Sequence, residues 1–88
     1  KYQLQTAVGS VELTKNEAVI LQNLIDHMGA VVHREVLHAQ IDTYGFCNSN
    51  RTVDVHVSAL RKKLNRIDSN LEILTKRGVG YILRIELT

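Results

Sequence analysis

Arg51-Thr52-Val53-Asp54-Val55-His56-Val57-Ser58-Ala59-Leu60-Arg61-Lys62-Lys63-Leu64 is the stretch on which the reading of this 88-residue chain turns. Val53, Val57, Leu60, Leu64 and then Ile67 recur at spacings of four, three, four and three residues. At 3.6 residues per turn that pattern is a single apolar stripe, so the stretch is predicted to be a helix from Arg51 to about Arg66 with one buried face. The opposite face carries Arg51, Thr52, Val55, Ser58, Ala59, Lys62, Lys63 and Arg66, with His56 and Arg61 on its flanks. Small and hydrogen-bonding side chains toward the N-terminal half suit entry into a major groove. The cations that follow suit phosphates, where charge matters and base sequence does not. Cations near a helix C-terminus also complement the helix dipole, which accounts for them without any ligand.

After the helix, Asp68-Ser69-Asn70 reads as a turn. Leu71–Thr75 and Tyr81–Leu87 then read as a hairpin joined by Lys76-Arg77-Gly78-Val79-Gly80. Lys76 and Arg77 stand beside two glycines, which predicts a tight tip that presents two cations. Before the helix, Thr43 to Asn50 is polar and reads as a loop. Arg34 to about Ile41 reads as a second helix, with Val36, Leu37 and Ile41 on one side. Val31-Val32 is too short for a helix and reads as a brief extended link that pairs with another strand. The first helix has a sharp start, because Thr14-Lys15-Asn16-Glu17 places a hydroxyl at the N-cap and a carboxylate three residues on. Leu21, Leu24, Ile25 and Met28 follow at helical spacing, and Gly29 suits the left-handed position past the end. The chain opens with two short extended pieces, around Tyr2–Leu4 and Val11–Leu13, separated by Gly9-Ser10. Strands, three helices and a C-terminal hairpin with a basic tip outline an α+β winged helix-turn-helix, expected as one domain over residues 1–88.

Composition supports a nucleic-acid partner and excludes several other classes. The net charge is only +2, but it is divided unevenly. Residues 1–50 hold three Lys/Arg against five Asp/Glu, and residues 51–88 hold eight against four. Basic groups gathered in one half point to a polyanion. No apolar run approaches the ~20 residues of a membrane-spanning helix, so no membrane partner is expected. The one cysteine, Cys47, cannot make an internal disulfide. His27, His33, His38 and His56 show no i, i+4 pair for a helical metal site. Gly78-Val79-Gly80 precedes a strand rather than a helix, so it is no phosphate-cradling loop. No enzyme constellation, cofactor or metal is therefore expected. Lysine at position 1 reads as the start of a piece of a longer protein.

Four segments together carry a family resemblance: Leu13-Thr14-x-x-Glu17; His33-Arg34-Glu35-x-Leu37; Arg51-Thr52-Val53-Asp54-Val55-His56-Val57-x-x-Leu60-Arg61-x-Lys63-Leu64; and Thr75-x-Arg77-Gly78-x-Gly80-Tyr81. In order and spacing they resemble the OmpR/PhoB-type effector domain of bacterial two-component response regulators, over essentially the whole chain. The resemblance implies a third helix in the major groove of double-stranded DNA and a hairpin wing at the adjacent minor groove. It also implies a cytoplasmic bacterial protein with an aspartate-phosphorylated receiver domain of its own. The isolated domain is expected to be a monomer that forms head-to-tail dimers on direct-repeat sites. The loop at about 42–50 is where members of the family commonly touch RNA polymerase. By matching position, Arg51, Thr52, His56 and Arg61 fall at DNA contacts, Thr75 and Arg77 at wing contacts, and Tyr81 near a phosphate. Asp54 matches an aspartate read as structural, compensating nearby arginines. Two departures stand out. Ser58 and Ala59 occupy positions where some relatives carry base-reading arginines, and Asp42 stands where many carry tryptophan. The competing reading is a winged helix whose basic face docks an acidic protein.

Overall fold

The computed structural model describes residues 2–44 and 53–86. Their order is β1 (Tyr2–Gln5), β2 (Ser10–Leu13), α1 (Lys15–Asp26), β3 (Val31–His33), α2 (Arg34–Tyr44), α3 (Val53–Arg66), β4 (Leu71–Lys76) and β5 (Gly80–Ile85). β1 and β2 form an antiparallel ribbon in which Tyr2 faces Leu13 and Gln5 faces Ser10. β3, β5 and β4 form an antiparallel sheet in that order. The three helices pack on one another; α1 also meets β2 and β5, α2 meets β3 and α3 meets β4.

α1 begins as its sequence dictates. Glu17 N–H donates to Thr14 Oγ1 at 3.2 Å, and Thr14 N–H donates back to Glu17 Oε1 at 2.9 Å, so two otherwise unpaired helix-start donors are satisfied. Beyond the last turn the chain turns back at Gly29, whose φ of 84° is costly for residues with a Cβ. Its N–H then donates to Leu83 O at 2.9 Å. The buried stripe of α1 is Glu17, Ile20, Leu21 and Leu24. Ile25 lies one step round the helix and Met28 falls beyond its end; both are exposed.

α2 runs three residues past its expected end, so Thr43 and Tyr44 are helical and not loop. Leu37 and Ile41 face the core, while Val36 is exposed. The rest of the expected loop, Gly45–Asn50 with Cys47, lies outside the described residues, as do Arg51 and Thr52. α3 buries all five residues of its predicted stripe. Val57 and Leu60 pack fully buried with Ile20, Leu24, Leu37 and Leu83. Truncating such a leucine to alanine costs about 2–5 kcal/mol.

The hairpin is one residue longer at the tip than expected, because Lys76 pairs with Gly80. Its two glycines do different jobs. Val79 N–H donates to Lys76 O at 2.9 Å, and Gly78, with φ 75°, takes the left-handed position in that turn. Gly80 is needed for close approach instead. A Cβ there would lie 2.0 Å from Val32 O of the adjacent strand β3. The Val31-Val32 link is thus a sheet strand, with Val32 paired to Tyr81.

Candidate nucleic-acid interface

The non-core surface of α3 carries small, polar and charged side chains, and the structure divides them into two groups. The first faces out. Val55 is 44% exposed. Ser58, Lys62 and Arg66 are exposed and Ala59 is half-buried. Among the described residues, none of these side chains makes a hydrogen bond or ion pair.

The second group is engaged with neighbouring elements. Asp54, in the first turn of α3, accepts from Arg34 Nη2 at 2.6 Å and from the Tyr81 hydroxyl. One carboxylate thereby ties α3 to the start of α2 and to β5. Burial, and then the bond to Asp54, pushes the Tyr81 phenol up to about 12. Arg61 donates from Nε to Ile73 O at 3.0 Å and from Nη2 to Thr75 Oγ1 at 2.6 Å. Its guanidinium lies over the Tyr81 ring, 5.7 Å from the centroid.

His56 and Lys63 sit differently from their expected places. His56 is buried to 9% exposure and is not on the outward flank. Its Nε2 lies 3.4 Å from Asn16 Nδ2 of α1. Lys63 does not stand free on the outer face either. Its Nζ donates to Glu17 Oε1 at 2.6 Å, with the two side chains 24% and 4% exposed. The phasing of α3 explains both corrections. Residues 56 and 63 are seven apart and so share one side of the helix, which α1 covers.

Lys76 and Arg77 are exposed at the hairpin tip. Thr75 is also exposed, and its hydroxyl accepts from Arg61. That bond holds the base of the tip alongside α3. Arg34 N–H donates to Val79 O at 3.1 Å and holds the tip from the other side. Arg34 and Asn16 are the partners that spacing did not single out. Arg34 sits inside one of the four quoted segments, but nothing in its surroundings in sequence ties it to Asp54, twenty residues on. Among the described residues, no group of three or more His, Cys, Asp or Glu side chains could hold a metal ion. No described helix is long and apolar enough to cross a membrane.

Three helices, a sheet-anchored hairpin with a cationic tip and an outward helix face of small and basic residues define a winged-helix DNA-binding fold. The family described as "Transcriptional regulatory protein, C terminal" matches residues 8–83. The chain belongs to that family, the OmpR/PhoB-type effector domains of response regulators, which bind DNA. It is 44% identical over 78 residues to the sensory transduction protein BceR of Bacillus subtilis, covering 89% of this chain and 34% of BceR. It is 40% identical over 82 residues to the atypical response regulator protein ChxR of Chlamydia trachomatis, covering 93% of this chain and 35% of ChxR. The chain thus spans about a third of the length of these curated relatives. Among solved structures, the C-terminal domain of the nisin resistance regulator NsrR, a lantibiotic response regulator, superposes with a TM-score of 0.79 at 33% identity, over 98% of this chain and 88% of that one. The solution structure of the ChxR DNA-binding domain gives 0.65 at 40% identity, over 93% and 69%.

Proposed function

We propose that this domain binds specific duplex DNA sequences with α3 in the major groove and the wing tip at the adjacent minor groove. The observation that carries this is the row Val55, Ser58, Ala59 and Lys62, exposed or half-buried and without polar partners among the described residues, beside a tip that presents Lys76 and Arg77. Val55 and Ala59 offer methyl groups of the kind that meet the thymine C5-methyl, and Ser58 can donate or accept. Lys62, Lys76 and Arg77 supply phosphate contacts. By matching position in the family, Arg51 and Thr52 add DNA contacts. His56 and Lys63 support the helix from behind, through Asn16 and Glu17.

In this reading the domain is a binding module with no catalytic step or cofactor. It belongs to a cytoplasmic bacterial response regulator whose receiver domain controls it. The domain is monomeric alone and pairs head to tail on direct repeats about 10–11 base pairs apart. RNA polymerase is the partner of segment 42–50, of which Asp42, in the last turn of α2, stands in place of the family's tryptophan.

Fluorescence anisotropy with mixed-sequence duplex at low salt tests the reading. Binding should weaken linearly on a log–log salt plot, and the variant with both Lys76→Ala and Arg77→Ala should show a slope shallower by about 2. Absence of binding at high micromolar protein, together with binding to an acidic protein surface, would overturn it in favour of protein docking.

A further inference from the structure

Sequence matching puts Arg61 among the DNA contacts, but its geometry gives it another task. We infer that Arg61 is a positioning residue, which sets the wing against the recognition helix through a two-pronged bond to β4. The inference rests on the DNA-binding reading above.

The outer edge of β4 explains why an arginine is needed. Glu86 N–H donates to Asn70 O, which marks 70 and 86 as a hydrogen-bonded pair in the β4–β5 register. Hydrogen-bonded pairs alternate in an antiparallel ladder, so Ile73 and Thr75 turn their backbone groups to the open edge. Arg61 fills that edge. Its Nε satisfies Ile73 O at 3.0 Å while Nη2 reaches Thr75 Oγ1 at 2.6 Å. A planar guanidinium can hold two acceptors two residues apart on one strand edge, and a lysine ammonium lacks the rigid fork to do so. The Tyr81 ring lies against the same group, and its hydroxyl is bonded to Asp54 two turns earlier on α3. The helix is therefore fastened to the hairpin at two points. Thr75 immediately precedes Lys76 and Arg77, so a shift of β4 at this bond moves both tip cations.

The test uses Arg61→Lys, which keeps the charge and loses the fork, and Thr75→Val, which removes the acceptor on an exposed strand position that valine suits. Binding is measured to a duplex carrying the site that the unmodified domain selects from a random library. Each variant should weaken binding roughly tenfold, and the two together should be no worse than either alone. In a background with Lys76→Ala and Arg77→Ala, Arg61→Lys should change affinity less than about twofold. A second arm needs no DNA. In amide NMR spectra of the free domain, Arg61→Lys should shift the resonances of Thr75, Lys76, Arg77 and Gly78. The inference is overturned if Arg61→Lys binds like the unmodified domain, because charge alone would then suffice. It is also overturned if the tenfold loss persists without the tip cations, or if the free-domain shifts stay within α3. Failure of the unmodified domain to select any site would instead count against the DNA-binding reading, and the free-domain arm would still decide the role of Arg61.

Discussion

The two sides of α3 look alike in sequence and differ in what they do. Lys62 and Lys63 are adjacent, equally charged and equally close to the helix C-terminus. Lys62 projects outward, with no hydrogen bond or ion pair among the described residues, whereas Lys63 reaches back to a nearly buried Glu17 at 2.6 Å. The same division separates Ser58 from His56. A step of about 100° per residue carries one lysine into solvent and the other against α1. The lesson is that the count of cations on a recognition helix overstates its contact with phosphate. Part of that charge holds the helix in place.

The inward side should dominate stability. Glu17 closes the capping box of α1 and holds Lys63, both through Oε1. Glu17→Ala removes a capping partner and leaves a half-buried ammonium without its anion. The expected loss is about 3 kcal/mol, or roughly 12–24 °C in melting temperature for a domain of this size. A thermal melt shifted by less than a few degrees would merge the two sides that the structure separates.

The outward side should dominate specificity. Ala59→Arg adds a good helix former at a half-buried outward position, so the fold should survive. It should shift the selected binding site toward guanine at one position, by roughly 1–3 kcal/mol if both N7 and O6 are reached. Site selection on both proteins, with helicity followed by circular dichroism, checks this. Identical motifs would mean that residue 59 does not face bases.

Much of this was legible from residues alone, and the reasons are local. The start of α1 follows from Thr14 and Glu17, three residues apart, and the core face of α3 from the Val53–Ile67 periodicity. Val31-Val32 is legible as a short extended piece that pairs, but its partner is not, because β5 lies about fifty residues away. In sequence Gly80 looks like a turn residue, since nothing in a linear chain reveals how closely Val32 O of β3 approaches it. Phasing alone puts Lys63 on the outward face and His56 on its flank, because it locates the stripe centre well and its margins poorly. How wide a margin α1 covers depends on tertiary packing.

Tyr81 offers a pH test of the engaged side. Its phenol, raised to about 12, stays protonated in the fold while an unfolded chain ionises near an ordinary value of about 10. The stabilisation from this group is thus complete below pH 10 and declines as pH climbs from 10 toward 12. Tyr81→Phe should be less stable by about 1.5 kcal/mol at neutral pH, from loss of a bond to a charged acceptor. That difference should shrink across the alkaline window in paired denaturant titrations. A difference that is constant with pH would mean the Tyr81–Asp54 bond contributes nothing in solution.

The salt dependence of DNA binding by Lys62→Ala and Lys63→Ala, measured side by side, separates the two sides of α3 most directly. Lys62→Ala should flatten the log–log slope by about 1 and leave stability within about 0.5 kcal/mol. Lys63→Ala should leave the slope unchanged and lower the melting temperature. Equal slopes for the two variants, or a flattened slope for Lys63→Ala alone, would contradict the division of α3 into a side that meets DNA and a side that holds the fold.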